Sequence, residues 1–252
     1  MGDNWYETYF GEEYLRLYNA GLTPEREAAE VDAVVAVLAL EPGAAILDLC
    51  CGQGRHLVPL AQRGYNMTGL DLSEYLLGIA RRRADEAGVA VEFHQGDMRE
   101  IPWAGRFDAV INMFTAFGYF DDEAENQKVL HAIHRALKPG GKFLIETMSR
   151  DRLVRIFLPN SWEQFEDGTI AWYEREFDFV TGINTQRTTY RTPDGALHHR
   201  GHRVRVYTPT ELCRMLRVAN LEPVRVIDGT DGTPITIDSR RMMVLAQKPA
   251  IG

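Results

Sequence analysis

The amino-acid sequence predicts an α/β fold, a doubly wound and mostly parallel seven-stranded sheet with a small antiparallel β insertion. Short apolar runs alternate with amphipathic helical segments over residues 41–150, and the alternation resumes over residues 208–252. Repeated strand–helix–strand units of this kind favour a parallel sheet covered by helices on both faces. Residues 151–207 instead combine β-branched, aromatic and polar residues with hairpin turns, which is typical of antiparallel strands.

The first forty residues are predicted to be helical. Thr23 and Pro24 are typical cap and first-turn residues, and Val31, Val34 and Leu38 then recur on one helix face. An aromatic and acidic segment precedes this helix. That segment could simply pack into a core, or it could cover a ligand, and residues 1–40 are therefore considered a helical lid.

The parallel part of the sheet is predicted from five apolar runs separated by helices. The predicted strands are residues 45–50, 65–71, 89–94, 107–113 and 142–148. A helix is predicted over residues 54–64, a second is capped by Ser73, and a third begins near Asp122. Ligands of such sheets bind beyond the carboxyl ends of the strands.

The insertion is predicted to contain three antiparallel strands and to act as a substrate cap. The strands are residues 170–177, 184–191 and 199–208, with turns at 180–182 and 192–195. Residues 208–211, Thr-Pro-Thr-Glu, then form a capping box with proline at the first helical position. Residues 221–227 and 242–247 supply the last two strands of the core.

Composition excludes several classes of protein. A net charge of −8 over 252 residues argues against a surface that follows a phosphate backbone, so no nucleic-acid partner is expected. Three cysteines cannot form a disulfide framework, and no stretch is long and apolar enough to span a bilayer. The N-terminal residues lack the basic and apolar regions of a secretory signal. We expect a cytoplasmic protein without a membrane partner, and a homodimer remains open.

The stretch "ILDLCCGQGRH" contains most of the first predicted strand and the loop that follows it, and this loop suits a cofactor. Gly52 and Gly54 allow close approach to the backbone where a helix begins, and Asp71 ends the next strand, in position to bind ribose hydroxyls. Leu57 stands where the dinucleotide fingerprint needs its third glycine. Asp48 would repel a pyrophosphate and attract an ammonium or sulfonium group, which favours S-adenosylmethionine over NAD.

The wider pattern resembles the class I S-adenosylmethionine-dependent methyltransferases, among them glycine N-methyltransferase and the N,N-dimethyltransferases of antibiotic sugars. Their first motif, D-x-G-x-G-x-G, is similar to residues 48–54, although Cys50 replaces the first glycine. Asp71 in "GLDLS" and Asp97 in "QGDM" match the acids of the second and third strands. The stretches "FDAVINMFTAFGYF" and "LKPGGKFLIE" resemble the fourth-strand motif and the turn into strand five.

The resemblance implies a set of cofactor-binding residues and S-adenosylhomocysteine as the product. The residues expected to bind the cofactor are Tyr18, Asp48, Cys50, Gly52, Gly54, Asp71, Leu72, Asp97, Met98, Asn112 and Met113. Tyr14 and Tyr18 match the Tyr-x-x-x-Tyr spacing that related small-molecule methyltransferases place over the cofactor.

The two adjacent cysteines raise the alternative of a metal site. Cys50 and Cys51 have no second Cys or His pair at zinc-ligand spacing, and adjacent residues are poorly placed for chelation. We therefore expect no metal and interpret the cysteines as small residues of the cofactor loop.

Substrate and catalytic residues are less defined, because methyl transfer from a sulfonium requires mainly positioning and desolvation. The candidates are Tyr14 and Tyr119 for catalysis, and Phe114, Phe117 and His199 for the substrate. A surface position for His199 is the competing interpretation.

The acceptor is expected to be a small molecule and could be an amine. No Asn/Asp-Pro-Pro-aromatic motif of base N-methyltransferases follows strand four. Two alternatives stay open. An RNA or protein methyltransferase should show a basic face around Arg200, Arg203 and Arg205. A noncatalytic module would bind S-adenosylmethionine without transferring its methyl group.

Overall fold

A computed structural model describes residues 4–18, 21–229 and 232–250. The predicted lid and the last residues of the core thus lie partly outside the described residues. The helices are α1 Tyr6–Tyr9, α2 Glu12–Tyr18, α3 Pro24–Leu38, α4 Leu57–Gln62, α5 Glu74–Ala87, α6 Glu123–Ala136, α7 Arg150–Arg155 and α8 Pro209–Val218. The strands are β1 Ala45–Leu49, β2 Asn66–Asp71, β3 Glu92–Gln95, β4 Phe107–Asn112, β5 Leu137–Met148, β6 Asn160–Gln164, β7 Ile170–Phe177, β8 Ile183–Arg191, β9 Leu197–Arg205, β10 Glu222–Asp228 and β11 Arg241–Gln247.

Seven of these strands form one sheet in the order β10-β11-β5-β4-β1-β2-β3. Neighbouring strands from β5 to β3 are parallel, and β11 is antiparallel to both β5 and β10. The predicted doubly wound, mostly parallel seven-stranded sheet is confirmed. Its order reverses between β1 and β4, and ligands of open α/β sheets bind at such a switch point.

The sheet is covered on both faces, as its continuous apolar strands require. On one face Val31 and Leu38 of α3 pack with Leu60 of α4 and Leu77 of α5. The opposite face is covered by α6, α8 and the N-terminal aromatic residues, which share a second cluster. The aromatic segment therefore belongs to the core and also reaches the carboxyl edge of the sheet, as described below.

The helix starts follow the predicted capping chemistry. The hydroxyl of Thr23 accepts a hydrogen bond from the N–H of Arg26, and Ser73 caps α5 in the same way. Thr208 and Glu211 make a complete capping box at the start of α8. Asp122 caps α6 through the N–H of Ala124, without the reciprocal bond of a capping box.

Several predicted bounds shift in the structure, with β3, β5 and β9 at residues 92–95, 137–148 and 197–205, and two further predictions were wrong in detail. The antiparallel insertion has four strands, in the order β6-β7-β8-β9, because Asn160–Gln164 pairs with β7. This strand is polar and mostly exposed, so it shows no apolar alternation. The helix predicted over residues 54–64 begins only at Leu57, because the preceding residues form a turn that includes Gly54 at φ +77°.

Among the described residues, no helix combines the length and apolar character that crossing a membrane requires.

Candidate active site

A cavity lies at the carboxyl ends of β1, β2 and β4. The N-terminal aromatic residues form its other wall. It is lined by Tyr6, Phe10, Tyr14, Leu15, Leu22, Cys50, Cys51, Gly52, Gln53, Arg55, His56, Asp71, Leu72, Leu76, Gly96, Asp97, Met98, Met113, Phe114, Ala116, Tyr119 and Phe120.

Ten of the sequence-predicted site residues line this cavity and six do not. The lining ones are Tyr14, Cys50, Gly52, Asp71, Leu72, Asp97, Met98, Met113, Phe114 and Tyr119. Those outside the lining are Tyr18, Asp48, Gly54, Asn112, Phe117 and His199.

The loop after β1 owes its shape to three residues with positive φ. Cys50, Gly52 and Gly54 have φ of +63°, +53° and +77°. Cys50 thus adopts the left-handed conformation that the glycine of the family motif would adopt without strain. At Gly54 a Cβ atom would lie 3.1 Å from the Cβ of Ala80, so glycine also lets the loop pack closely on α5.

Asp71 fastens this loop to the end of β2. Its two carboxylate oxygens accept hydrogen bonds from the N–H groups of Gly52 and Ser73, each at 2.8 Å. Burial raises the pKa of Asp71, while the bonds from Ser73 and Gly52 oppose that rise. The carboxylate is therefore held rigidly at the cavity wall.

Asp48 is a buried carboxylate without a compensating partner. It is 2% exposed, and its Oδ2 atom has no hydrogen-bond partner among the described residues. Burial raises its pKa to about 7, and the nearby Asp71 adds to the rise while Arg55 opposes it. A buried carboxylate of this kind favours the approach of a cation.

A group of charged residues beside the glycine loop was missed from the sequence. Arg55 is 6% exposed and pairs through Nη1 with Glu30 of α3, whereas its Nη2 atom has no partner among the described residues. Nε2 of His56 lies 3.0 Å from Glu30, and Arg26 donates to the same carboxylate at 2.7 Å. Burial would raise the pKa of Glu30, but His56 and Arg55 hold it well below its ordinary value. Arg55 and His56 belong to the stretch "ILDLCCGQGRH", whereas no sequence pattern around Glu30 indicated a functional residue.

Asp97 and Met98, which follow β3, also line the cavity. Burial would raise the pKa of Asp97, but hydrogen bonds from Arg99 more than offset this and lower it. The Sδ atom of Met98 lies 3.7 Å from Sγ of Cys50. Asp97 thus contributes an ionised carboxylate to this part of the cavity, and Met98 contributes a polarisable apolar side chain.

The backbone turns sharply after β4. Phe114 and Thr115 have φ of +61° and +60°, a conformation that costs non-glycine residues free energy. Oε2 of Glu146 accepts a hydrogen bond from the N–H of Phe114 at 2.8 Å, and Glu146 pairs with Arg241. The guanidinium of Arg55 lies 5.1 Å from the centre of the Phe114 ring. This strained turn presents the Phe114 ring to the cavity.

Two residues of the same segment have structural positions. Asn112 is buried, donates a hydrogen bond to the carbonyl of Leu49 at 3.0 Å, and thereby links β4 to β1. Phe117 is buried with its ring centre 5.6 Å from that of Tyr207. Neither residue reaches the cavity wall.

The aromatic wall is a connected set of rings. Tyr14 and Tyr18 stack with centres 4.8 Å apart, and Phe10 stacks on Tyr119 at 5.6 Å. The hydroxyl of Tyr9 lies 3.3 Å from that of Tyr18 and 2.9 Å from Nδ1 of His202. Tyr18 therefore supports Tyr14 from behind, and a histidine of β9 anchors the set.

His199 and His202 occupy opposite faces of β9. The exposed side chain of His199 lies 3.0 Å from the hydroxyl of Thr189, away from the cavity. Burial lowers the pKa of His202 to about 4, so it is neutral at pH 7. His202 is therefore the histidine of β9 on the side of the aromatic wall. The sequence could not show which of the two histidines faces this wall, because it does not reveal the register of the strand.

Burial also governs the ionisation of the cavity thiols and phenols. It raises the pKa of Cys50 and Cys51 well above the ordinary value, and those of Tyr14 and Tyr119 likewise. All four groups are neutral at pH 7. Within the described ranges no group of three or more His, Cys, Asp or Glu side chains is arranged to hold a metal ion.

Comparison with known proteins places this chain in a family. Residues 46–141 match a methyltransferase domain. The protein YqeM of Bacillus subtilis (strain 168), which is named as a methyltransferase, is 30% identical over 211 residues, covering 81% of this chain and 83% of that protein. A dTDP-3-amino-3,6-dideoxy-alpha-D-glucopyranose N,N-dimethyltransferase of Streptomyces fradiae is 37% identical over 121 residues, covering 48% of this chain and 46% of that enzyme.

The fold is shared with solved structures. The crystal structure of an S-adenosylmethionine-dependent methyltransferase from Clostridium acetobutylicum ATCC 824 superposes with a TM-score of 0.79 at 19% identity, covering 94% of this chain and 96% of that one. The fold and the sequence relatives together define a Rossmann-like enzyme that transfers methyl groups. The chain belongs to the class I S-adenosylmethionine-dependent methyltransferases.

The cavity fits the cofactor of that family. Nη2 of Arg55, which lines the cavity, and Oδ2 of Asp48, which lies behind the cavity lining, both lack partners among the described residues, and the two side chains have opposite charges when ionised. An amino acid group such as that of S-adenosylmethionine carries the two complementary charges.

Proposed function

We propose that this enzyme methylates the nitrogen of a small amine. The observation that carries the proposal is the part of the aromatic wall that lines the cavity, formed by Phe10, Tyr14 and Tyr119. During methyl transfer, positive charge passes from the sulfonium to the attacking nitrogen. Aromatic faces attract cations, so such a wall favours both the cofactor and an ammonium product.

The protonation states of the wall support an amine. Tyr14 and Tyr119 are neutral because burial raises the pKa of each. A neutral phenol can position an acceptor by a hydrogen bond, but it is a poor base. An amine attacks as its neutral free base. No proton therefore has to be removed from it in the step that forms the bond to carbon.

We propose the following placement of the cofactor, which supplies the methyl group when bound. Asp71 would bind the ribose, and Asp97 with Met98 would contact the adenine, as the family resemblance implies. Asp48 would face the ammonium group and Arg55 the carboxylate of the methionine part. The supporting observations are the unpartnered atoms of Asp48 and Arg55 and the position of the other three at the cavity wall.

The chain's own residues then have three tasks. Asp71 holds the glycine loop in place through the N–H of Gly52. The aromatic wall excludes water, which strengthens electrostatic interactions and limits hydrolysis. Phe114, fixed by its N–H bond to Glu146, positions the acceptor against the methyl group.

The lid (residues 1–40) and the cap (residues 151–207) are proposed to close the acceptor end. The N–H of Arg205 in β9 donates to the carbonyl of Gly118 after β4 at 2.8 Å, which joins the cap to the cavity rim. Arg200 of β9 donates to a main-chain carbonyl of α1 at 3.2 Å. These contacts support an acceptor that is enclosed on all sides.

The surface expected of an RNA or protein methyltransferase receives no support from the charges. Arg200 pairs with Glu13, Arg203 with Asp121, and Arg205 with Glu123. Each guanidinium of the predicted basic face is thus matched by a carboxylate. A small-molecule acceptor agrees better with this arrangement, as does the amino-sugar acceptor in the name of the Streptomyces fradiae relative. A cytoplasmic location and a homodimer stay predictions.

One observation favours a second candidate, methyl transfer to oxygen. His56 lines the cavity with Nε2 3.0 Å from Glu30, and burial lowers its pKa. A neutral imidazole paired with a carboxylate can accept the proton of a hydroxyl group.

The test uses acceptors in matched pairs, each amine beside the alcohol of the same shape. The purified enzyme is incubated with S-adenosylmethionine labelled in its methyl group, and the Asp71→Ala variant serves as the cofactor-deficient control. Label in amines but not in their alcohols supports the proposal. Label in alcohols alone, lost in His56→Ala, would replace it by O-methylation, and label in RNA or protein alone would overturn the small-molecule acceptor.

A further inference from the structure

A second cavity lies apart from the cofactor cavity and shares no lining residue with it. It is formed where the turn between β7 and β8 meets the starts of α6, α7 and α8. Its polar wall contains Arg150, Arg205, Arg214 and Tyr207. Methyl transfer, as derived above, uses none of these side chains.

Three buried polar atoms on this wall lack partners among the described residues. They are Nε of Arg150, Nε of Arg205 and the hydroxyl oxygen of Tyr207. Tyr207 is 3% exposed, and burial raises the pKa of its phenol, so the hydroxyl is protonated and can donate at neutral pH. Buried donors without acceptors are costly, and their convergence on one cavity indicates that an acceptor belongs there.

The charge of the cavity determines the sign of that acceptor. Three guanidinium groups line it, against the carboxylates of Glu123 and Glu211. Glu123 already pairs with Arg205 at 3.1 Å, and Glu211 accepts the N–H of Thr208 at 2.8 Å in the capping box. The three guanidinium groups exceed the two carboxylates by one positive charge, and Arg150 forms no ion pair among the described residues. The site therefore favours an oxyanion, and guanidinium groups bind phosphate oxygens well.

The rim of the cavity indicates more than a free ion. Phe179 and Val180 line the cavity and are 66% and 95% exposed, which leaves an apolar rim beside the polar wall. We propose that this cavity binds a small organic phosphate monoester, with the phosphate on Arg150, Arg205 and Tyr207.

The position of the site connects it to the acceptor end of the enzyme. The Tyr207 ring packs on Phe117, and the N–H of Arg205 bonds to the carbonyl of Gly118. Tyr119, the next residue, lines the cofactor cavity. A phosphate bound by Tyr207 and Arg205 would fix the segment that carries Tyr119.

The test is calorimetric titration of the full chain with glycerol 3-phosphate, inorganic phosphate and glycerol. We expect one equivalent of glycerol 3-phosphate to bind, more tightly than inorganic phosphate, and glycerol not to bind. Hydrogen bonds to charged groups predict a loss of about tenfold or more for Arg150→Gln. Tyr207→Phe, which removes only the hydroxyl, should weaken binding severalfold. Arg217→Gln is the matched control, since Arg217 pairs with Glu222 and lines neither cavity.

Nuclear magnetic resonance of the unaltered enzyme tests the site even where a variant fails to fold. In the unaltered enzyme, the Nε–H resonances of Arg150 and Arg205 should shift on adding glycerol 3-phosphate, with or without saturating S-adenosylhomocysteine. Equal affinity for inorganic phosphate would overturn the assignment to an organic monoester. Absence of binding, unshifted Nε–H resonances, or loss of binding in the presence of S-adenosylhomocysteine would overturn the site.

Discussion

Cofactor binding should release a proton from Asp48, and the pH dependence of that release tests the proposed cofactor placement. The pKa of Asp48 is raised to about 7 by burial, with a further contribution from Asp71. At pH 7 roughly half of the unliganded molecules therefore carry a proton on this carboxyl. An ammonium group placed beside Oδ2 favours the ionised form, so binding should release that proton.

The number of protons released on binding follows from the titration curve of Asp48. Binding of S-adenosylhomocysteine, which has the same amino acid group and cannot react, should release about half a proton at pH 7 and less than about 0.1 at pH 9. The assay is calorimetry in two buffers of different ionisation enthalpy, whose difference in binding enthalpy gives the number of protons. Asp48→Asn should abolish most of this release and weaken binding, because a buried cation loses its partner.

A matched control separates this effect from general changes in charge. Asp108 pairs with Lys138, outside the cavity, and that bond together with the N–H of Ala45 lowers its pKa despite burial. Asp108→Asn should therefore leave proton release unchanged. The placement of the ammonium group at Asp48 would be refuted by binding without proton release at pH 7, or by equal release in Asp48→Asn.

The raised pKa of Asp48 also predicts how the stability of the folded enzyme varies with pH. The folded-state pKa of Asp48 is raised above its unfolded value, so between about 4 and 7 the folded protein holds more protons at this site. Its contribution to the free energy of unfolding should thus fall as pH rises through that window. Urea unfolding between pH 4 and 7 should show that the free energy of unfolding rises more with pH in Asp48→Asn than in the unliganded native enzyme, because the variant lacks this falling contribution. Parallel curves would contradict the raised pKa.

The remaining predictions concern the ribose site, the cysteines and the aromatic wall. Asp71→Ala should weaken S-adenosylhomocysteine binding by about 1.5–3 kcal/mol, the scale of charge-assisted hydrogen bonds, and calorimetry showing unchanged affinity would remove Asp71 from the site. The double variant Cys50→Gly, Cys51→Ala should keep most activity, because glycine relieves the left-handed backbone at position 50; stoichiometric zinc in the native enzyme that the variant loses would overturn this. Tyr14→Phe and Tyr119→Phe should each lower kcat severalfold while Tm changes little, and an equal loss of stability would reduce both tyrosines to packing.

The sequence determined the fold because its signals are local. Alternation of apolar runs with capped helices specified strands and helices one at a time, and the right-handed rule for parallel connections then left few topologies. Thr208 and Glu211 are an example, since all atoms of their capping box lie within four residues. The glycine loop and Asp71 were found for the same reason, as a fixed spacing follows from the strand–loop–helix unit itself.

Tertiary structure decided what depends on packing between distant segments. Glu30 meets Arg55 and His56 across about twenty-five positions of sequence, and no local pattern marks such a meeting. Strand register placed His202 beside Tyr9 and turned His199 to solvent, because neighbouring residues of a strand point to opposite faces. The polar strand β6 and the second cavity were likewise invisible, since each is defined by the surfaces that fold against it rather than by its own residues.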